Sequence, residues 1–300
     1  MTNRFVPLYH GVMDRQDYER DAFEQQFQKH LPEDEFESQI AWLCASFEVL
    51  TVDEFVDSAV LGKSAAPAAL LTFDDVYANF YTKALPIIER HGCPVTLFLC
   101  TGFATGQVVS WTDEIERLVI NTDEAEVEVL DHRFQTHSAV ARHECVLQLK
   151  TLLQSLPTPV QKAAIARLLA DYDTGASLPK AEMLSWDAYC DLRDHPLVTV
   201  CHHSHSHSVM LNETSGRMLA DLEENVRLLG APQYFAYPWG VADVHFDERV
   251  KSCVQQQGFR AAFSVEDAPT YDDIDPFAIP RKEMRVGDHL EMLTAAGRLS

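Results

Sequence analysis

Apolar residues in this chain gather into short runs separated by longer amphipathic stretches. Val6-Pro7-Leu8-Tyr9-His10-Gly11 reads as a strand running into a loop, and 68–73 as a buried strand. Comparable runs stand at Pro94–Leu99, Leu197–Cys201, Gln233–Tyr237 and Arg260–Val265. Unbroken apolar runs of this kind suit strands covered on both faces. Between them, helical periodicity predicts helices over Phe23–Phe47, 50–59, Phe80–Arg90, Trp186–Arg193, Glu213–Leu229 and Asp247–Gln257. Gly92 and Gly258 follow two of these, where a left-handed residue ends a helix at little steric cost. Strand and helix in alternation point to a parallel α/β sheet.

The alternation breaks between about Trp111 and Leu184. There Glu126–Leu130 and Arg133–Gln135 pattern as a hairpin, and Ala139–Leu156 and Pro159–Asp171 as two amphipathic helices. We read 111–184 as an insertion beside the barrel mouth, within a single domain over 1–300. A chain of 300 residues fits one (β/α) barrel. In such folds the loops after the strands carry the chemistry, so the residues following each apolar run are the ones to search.

Charge narrows the partners. Lys and Arg number 24 against 46 Asp and Glu, a net charge of −22. Such a surface repels phosphate backbones and anionic headgroups, which argues against nucleic acid and membrane surfaces. No apolar stretch approaches the roughly 20 residues of a membrane helix. Met1–Phe5 leads into a strand with no export segment, and the 7 cysteines form no C-x-x-C pair. Several of them sit in apolar runs and read as reduced thiols, so the expected location is cytoplasmic.

Two strand ends carry candidate chemistry. Leu70-Leu71-Thr72-Phe73 stops on Asp74 and Asp75, and Leu197–Cys201 stops on His202-His203-Ser204-His205-Ser206-His207. Imidazole and carboxylate donors with one open position are what a catalytic zinc site requires. Adjacent strand residues face opposite ways, so the two carboxylates divide the work. One holds the metal and the other takes a proton from water. Adjacent aspartates also cap helices, and a histidine tract also chelates metal from a solvated loop. The buried strand before each group favours a dedicated site. Spacing leaves open which two imidazoles bind.

Thr72-Phe73-Asp74-Asp75, His203-Ser204-His205-Ser206-His207 and Phe235-Ala236-Tyr237-Pro238-Trp239-Gly240 resemble three ordered motifs of the polysaccharide deacetylase family (carbohydrate esterase family 4, the NodB homology domain). The resemblance extends to Leu8–Val12 and Pro276–Arg281 and covers about Val6 to Val286, with 111–184 least matched. It implies barrel closure: an incomplete or distorted (β/α) barrel of about seven parallel strands with a helical insertion. Carried over residue by residue, it makes Asp74 the general base and Asp75, His203 and His207 the ligands of a divalent metal, zinc first. The Trp239 N–H would help hold the oxyanion.

This chain departs from the family pattern at several positions. Val76 stands where the family has Gly after the aspartates, and Ala236 where it has an arginine. No C-terminal Leu-x-His motif is present, and the setting of His289 does not match one. Members with rearranged motifs imply His10 as the general acid and Arg281 as the partner of Asp74. The implied activity is hydrolysis of an N-acetyl group on a sugar or polysaccharide, free or nucleotide- or lipid-linked. Trp239, Tyr237, Trp111 and Trp186 are candidate faces for a pyranose ring. A deformylase or another amidohydrolase on the same scaffold is one rival reading, and a catalytically silent carbohydrate or metal binder another. Keeping both Asp74 and Asp75 favours an enzyme, since binding alone needs one.

Overall fold

The computed structural model describes residues 4–60, 66–172, 182–266, 271 and 274–295. Its main sheet holds β1 (Pro7–Tyr9), β2 (Leu71–Asp75), β3 (Val95–Leu99), β4 (Val198–His202), β5 (Tyr234–Ala236), β6 (Ala261–Phe263) and β7 (Lys282–Glu283). All neighbours are parallel, in the order β6-β5-β4-β3-β2-β1-β7. The outer strands are joined by 276–281. Ile279 N–H donates to Ala262 and Ser264 N–H to Ile279, each at 2.9 Å, and Lys282 N–H then donates to Val6 at 3.0 Å. The sheet is therefore the distorted (β/α) barrel that the sequence predicts.

Side-chain alternation explains the two layers. Leu70, Phe98, Cys201, Tyr234, Ala236, Ala261 and Phe263 cluster with Ile279 on one side of the sheet. Phe73, Leu97 and Leu99, on the opposite side, pack with the helix residues Phe36, Ile40 and Ile88. The barrel interior also receives Arg281, fully buried, with its guanidinium 5.1 Å from the Phe98 ring centroid.

The predicted helix Phe23–Phe47 is broken. Helices Arg15–Arg20 and Ala22–Phe27 are followed by a strand, His30–Pro32, which pairs with Gly11–Met13, and helix Glu33–Ser46 starts afresh. Pro32 cannot donate within a helix and disfavours helical geometry at Leu31, so the run cannot pass through it. A π turn, Phe80–Ala84, opens the next helix. There Leu85 N–H bonds back to Phe80, ahead of Pro86, which has no N–H to give. β7 escapes sequence reading because its two residues are charged and half-buried.

The segment between β3 and β4 holds helices Trp111–Asn121, Ala139–Gln154 and Thr158–Tyr172 and the hairpin Glu126–Val129/His132–Gln135. The first of these helices is additional to the two predicted. These elements bury a cluster of their own, including Ile115, Leu118, Val146, Leu149 and Leu168.

Candidate active site and metal centre

Strand register sets the site. Asp75 pairs with Leu99, Leu99 with His202, and His202 with Phe235, so the ends of β2 to β5 lie level. Chain leaving these ends turns sharply. Among the described residues nine non-glycine residues have positive φ, and five of them lie here: Asp75, Val76, Ser204, His207 and Trp239, at 51° to 67°. Backbone strain therefore concentrates at the site, as it does where function fixes geometry. Val76 takes at φ 62° the left-handed conformation that its glycine counterpart would adopt freely.

Hydrogen bonds hold the histidine loop in this shape. Asp221 accepts from the N–H groups of His205 (2.9 Å) and Ser206 (2.7 Å), and Ser204 Oγ from His207 N–H (3.0 Å). Asn225 donates to Ser204 carbonyl at 2.6 Å. His202 is turned away, its Nδ1 donating to Asn225 Oδ1 (2.7 Å), and His205 Nδ1 meets Thr101 Oγ1 (3.0 Å). His203 and His207 remain, and these are the two imidazoles of the cluster that the fold brings beside Asp75.

The Nε2 atoms of His203 and His207 lie 3.5 and 3.0 Å from Asp75 Oδ1. One ligand atom from each of the three residues falls within 4.8 Å of the others. His203 Nδ1 donates to Ala236 carbonyl at 2.8 Å, which leaves Nε2 as a lone-pair donor aimed at the cluster. Asp75 Oδ1 is buried without a hydrogen-bond partner despite that proximity. An unpaired buried carboxylate oxygen beside two imidazole nitrogens is a donor set that fits a divalent cation. Burial opposes charge on Asp75, yet His207 and His203 outweigh it and hold its carboxyl far below the usual range.

Asp74 faces the barrel interior, where Arg281 meets it with two parallel bonds, Nη1 to Oδ1 (2.6 Å) and Nη2 to Oδ2 (2.7 Å). Arg281 Nε donates to Ser264 carbonyl at 3.1 Å, which orients the guanidinium. Burial alone would raise the Asp74 pKa. Arg281 and, less strongly, His203 reverse the effect and lower it.

A cavity of about 280 Å³ opens on this cluster, lined in part by His10, Asp74, Asp75, His203, His207 and Trp239. His10 lies in its wall, with Nδ1 3.5 Å from Glu283 Oε1. Trp239 sits between His207 and Trp111, at ring-centroid distances of 4.9 and 5.6 Å. Its turn needs Gly240, since a Cβ there would come 2.6 Å from Val265 Cγ2 and φ is +70°.

Two aromatic expectations fail. Tyr237 is fully buried, stacked on Phe246 and donating to Phe277 carbonyl, because it points to the helix side of β5. Trp186 packs with Tyr189 against the core around Leu184 and Leu192. His289 is buried beside Glu35, away from the cavity wall. Phe27, Lys29, Ser110, Thr112, Lys150 and Glu283 line the cavity and were missed. Phe27 ends helix Ala22–Phe27, Glu283 lies on the short strand β7, and the others come from loops or amphipathic helices, so none follows an apolar run that marks a strand end.

A family profile described as polysaccharide deacetylase matches residues 62–262. The chain belongs to the polysaccharide deacetylase family. Over 100 residues it is 30% identical to a poly-beta-1,6-N-acetyl-D-glucosamine N-deacetylase of Staphylococcus epidermidis, a stretch covering 33% of this chain and 31% of that enzyme. IcaB from Ammonifex degensii has a similar fold (TM-score 0.61, 16% identity, 99% of this chain and 97% of that one). A de-N-acetylase from Aggregatibacter actinomycetemcomitans does as well (TM-score 0.57, 16% identity, 97% and 98% covered). Both His10 and Arg281 lie outside the stretch that carries the family match.

Proposed function

We propose that this protein is a metal-dependent hydrolase that removes the N-acetyl group from an amino sugar or amino-sugar polymer. The carrying observation is the buried, unpaired Asp75 oxygen facing two imidazole nitrogens, one residue from an ion-paired Asp74. The family is one of polysaccharide deacetylases, and the Staphylococcus relative is named for an N-acetylglucosamine polymer. Zinc suits Asp75, His203 and His207 and, when bound, acidifies a water and polarises the acyl oxygen.

The chain's own residues supply the rest. Asp74, kept ionised by Arg281, accepts a proton from the attacking water. The Trp239 N–H donates to the acyl oxygen as charge develops there. His10 donates its Nε2 proton to the departing amine nitrogen, with Glu283 3.5 Å from its Nδ1 to orient the ring, and the proton taken by Asp74 restores it by way of solvent. One C–N bond breaks, one C–O bond forms, and the products are acetate and the free amino sugar. Trp239 and Trp111 offer the aromatic wall for a pyranose ring. A cytoplasmic setting belongs to the same proposal, supported by seven free cysteines, most of them buried.

The test is acetate release from N-acetylglucosamine oligomers, run beside N-formyl counterparts, with and without a chelator. Acetate release abolished by chelation and restored by zinc is expected. Preferential release of formate would move the reading to a deformylase. Stoichiometric metal with no release from any sugar would move it to a silent binder.

A further inference from the structure

The metal-side carboxylate sits on an unusual stretch of backbone. Asp75 and Val76 are consecutive left-handed residues, and Val76 is β-branched, for which this conformation is an outlier. Such a residue is strained and persists only where its surroundings over-determine it. A local turn in which Val76 N–H donates to Asp74 carbonyl (2.6 Å) supplies part of that constraint, and residues of the insertion supply the rest.

Residues at the insertion's far end run alongside this bend. Leu184 N–H donates to Val76 carbonyl (2.9 Å), Ala78 N–H to Glu182 carbonyl (2.7 Å), and Tyr77 forms an antiparallel bridge with Met183. The insertion's first helix reaches the same point from the other side. Tyr77, 1% exposed, donates its hydroxyl to the Asp113 carboxylate, 3.2 and 3.1 Å from its two oxygens. Lys29 in turn binds Asp113, and Glu116 bridges Lys29 and Lys150. The Tyr77 ring stands edge-on to His30, with centroids 4.6 Å apart. A phenol two residues from Asp75 is thus tied to a carboxylate whose own place is fixed by a largely buried ion-pair network.

We infer that Tyr77 and Asp113 are positioning residues for Asp75, through which the insertion sets the affinity of the metal site. This inference rests on the metal reading above. Releasing the Tyr77 hydroxyl removes the side-chain half of the clamp and leaves the backbone half. The bend can then relax towards ordinary extended geometry, and Asp75 Oδ1 loses its fixed place between His203 and His207.

Zinc affinity, measured by competition with a chromophoric chelator, and the cobalt(II) spectrum of the full chain test this. Tyr77→Phe keeps the ring packed on His30 and should weaken zinc binding about tenfold, the scale of lost outer-sphere support. It should also alter the cobalt spectrum. Asp113→Asn, whose amide oxygen still accepts from Tyr77 but which gives up the ion pair to Lys29, should cost less than Tyr77→Phe. Arg142→Met serves as a stability control. Arg142 donates to the carbonyls of Ile120, Thr122 and Thr136, so its loss loosens the insertion without touching Tyr77 or Asp113.

A lower melting temperature in Tyr77→Phe, with wild-type zinc affinity and cobalt spectrum, would overturn the inference. So would an equal loss of affinity in Arg142→Met, which would make the effect one of general stability. Failure of the underlying reading looks different: the unmutated chain would bind neither zinc nor cobalt stoichiometrically.

Discussion

The strand-end loops and the inserted wall face the same cavity but are built by opposite rules. At the strand ends, Asp74, Asp75, His203 and His207 stand on or beside short strained turns; Asp74 and His203 each have an aimed partner, and Asp75 Oδ1 is left unpaired. The insertion presents Ser110, Thr112 and Lys150 from regular helix and helix ends, backed by a hydrophobic cluster of its own. Chemistry tolerates little displacement and is built on the rigid sheet. Shape recognition tolerates more and is delegated to an added unit.

Substitutions at the strand ends should act in kind, and those in the wall in degree. The largest effect belongs to Asp75→Ala and His203→Ala, each of which should take elemental analysis from stoichiometric zinc to none and turnover to background. His205→Ala should keep its metal, since that ring faces Thr101. Next comes Asp74→Asn, which should lower kcat by about 10²–10⁴-fold with metal content unchanged. Loss of metal in that variant would mean that the two aspartates do not divide the work.

Arg281→Met should follow. It leaves a buried carboxylate unpaired, a loss of about 3–5 kcal/mol readable by denaturant melting. The sign with pH follows from the lowered Asp74 pKa. Stability drawn from the pair is fully present above about pH 3.9, the unfolded value, and is lost as pH falls through the folded one. Without Arg281, burial is opposed only by His203 and, more weakly, His10, and the acid limb of the kcat/KM profile should move to higher pH. An unmoved limb would dissociate Asp74 from the base role.

The smallest effect is expected where helix Ala22–Phe27 backs the inserted wall. Phe27 lines the cavity and packs on the insertion's cluster. Phe27→Ala should raise KM about fivefold with kcat nearly unchanged, the size of one lost aromatic contact. A collapse of kcat there would erase the distinction between the two regions.

The same contrast governs what the sequence discloses. Asp75 and the histidine cluster were legible because each follows an apolar run that can only be a covered strand. Val76 marked a departure, but not that valine would accept a glycine conformation, since that depends on Leu184 and Met183, a hundred residues away. Helix Phe23–Phe47 was misread because apolar periodicity outweighed a single Pro32. Lys29 and Lys150 were silent for another reason: a charged residue on an amphipathic helix or in a loop reads as solvated until a neighbour such as Glu116 is known.

Arg281 has a consequence for the order in which the molecule becomes competent. Its guanidinium serves a carboxylate on the second strand of the sheet, yet it is delivered by the segment that closes the barrel. A chain made from its N-terminus has Asp75, His203, His207 and Trp239 in hand while Asp74 still lacks its cation. On the proposed reading, the donors of the metal site are therefore synthesised before the cation that keeps the proposed base ionised.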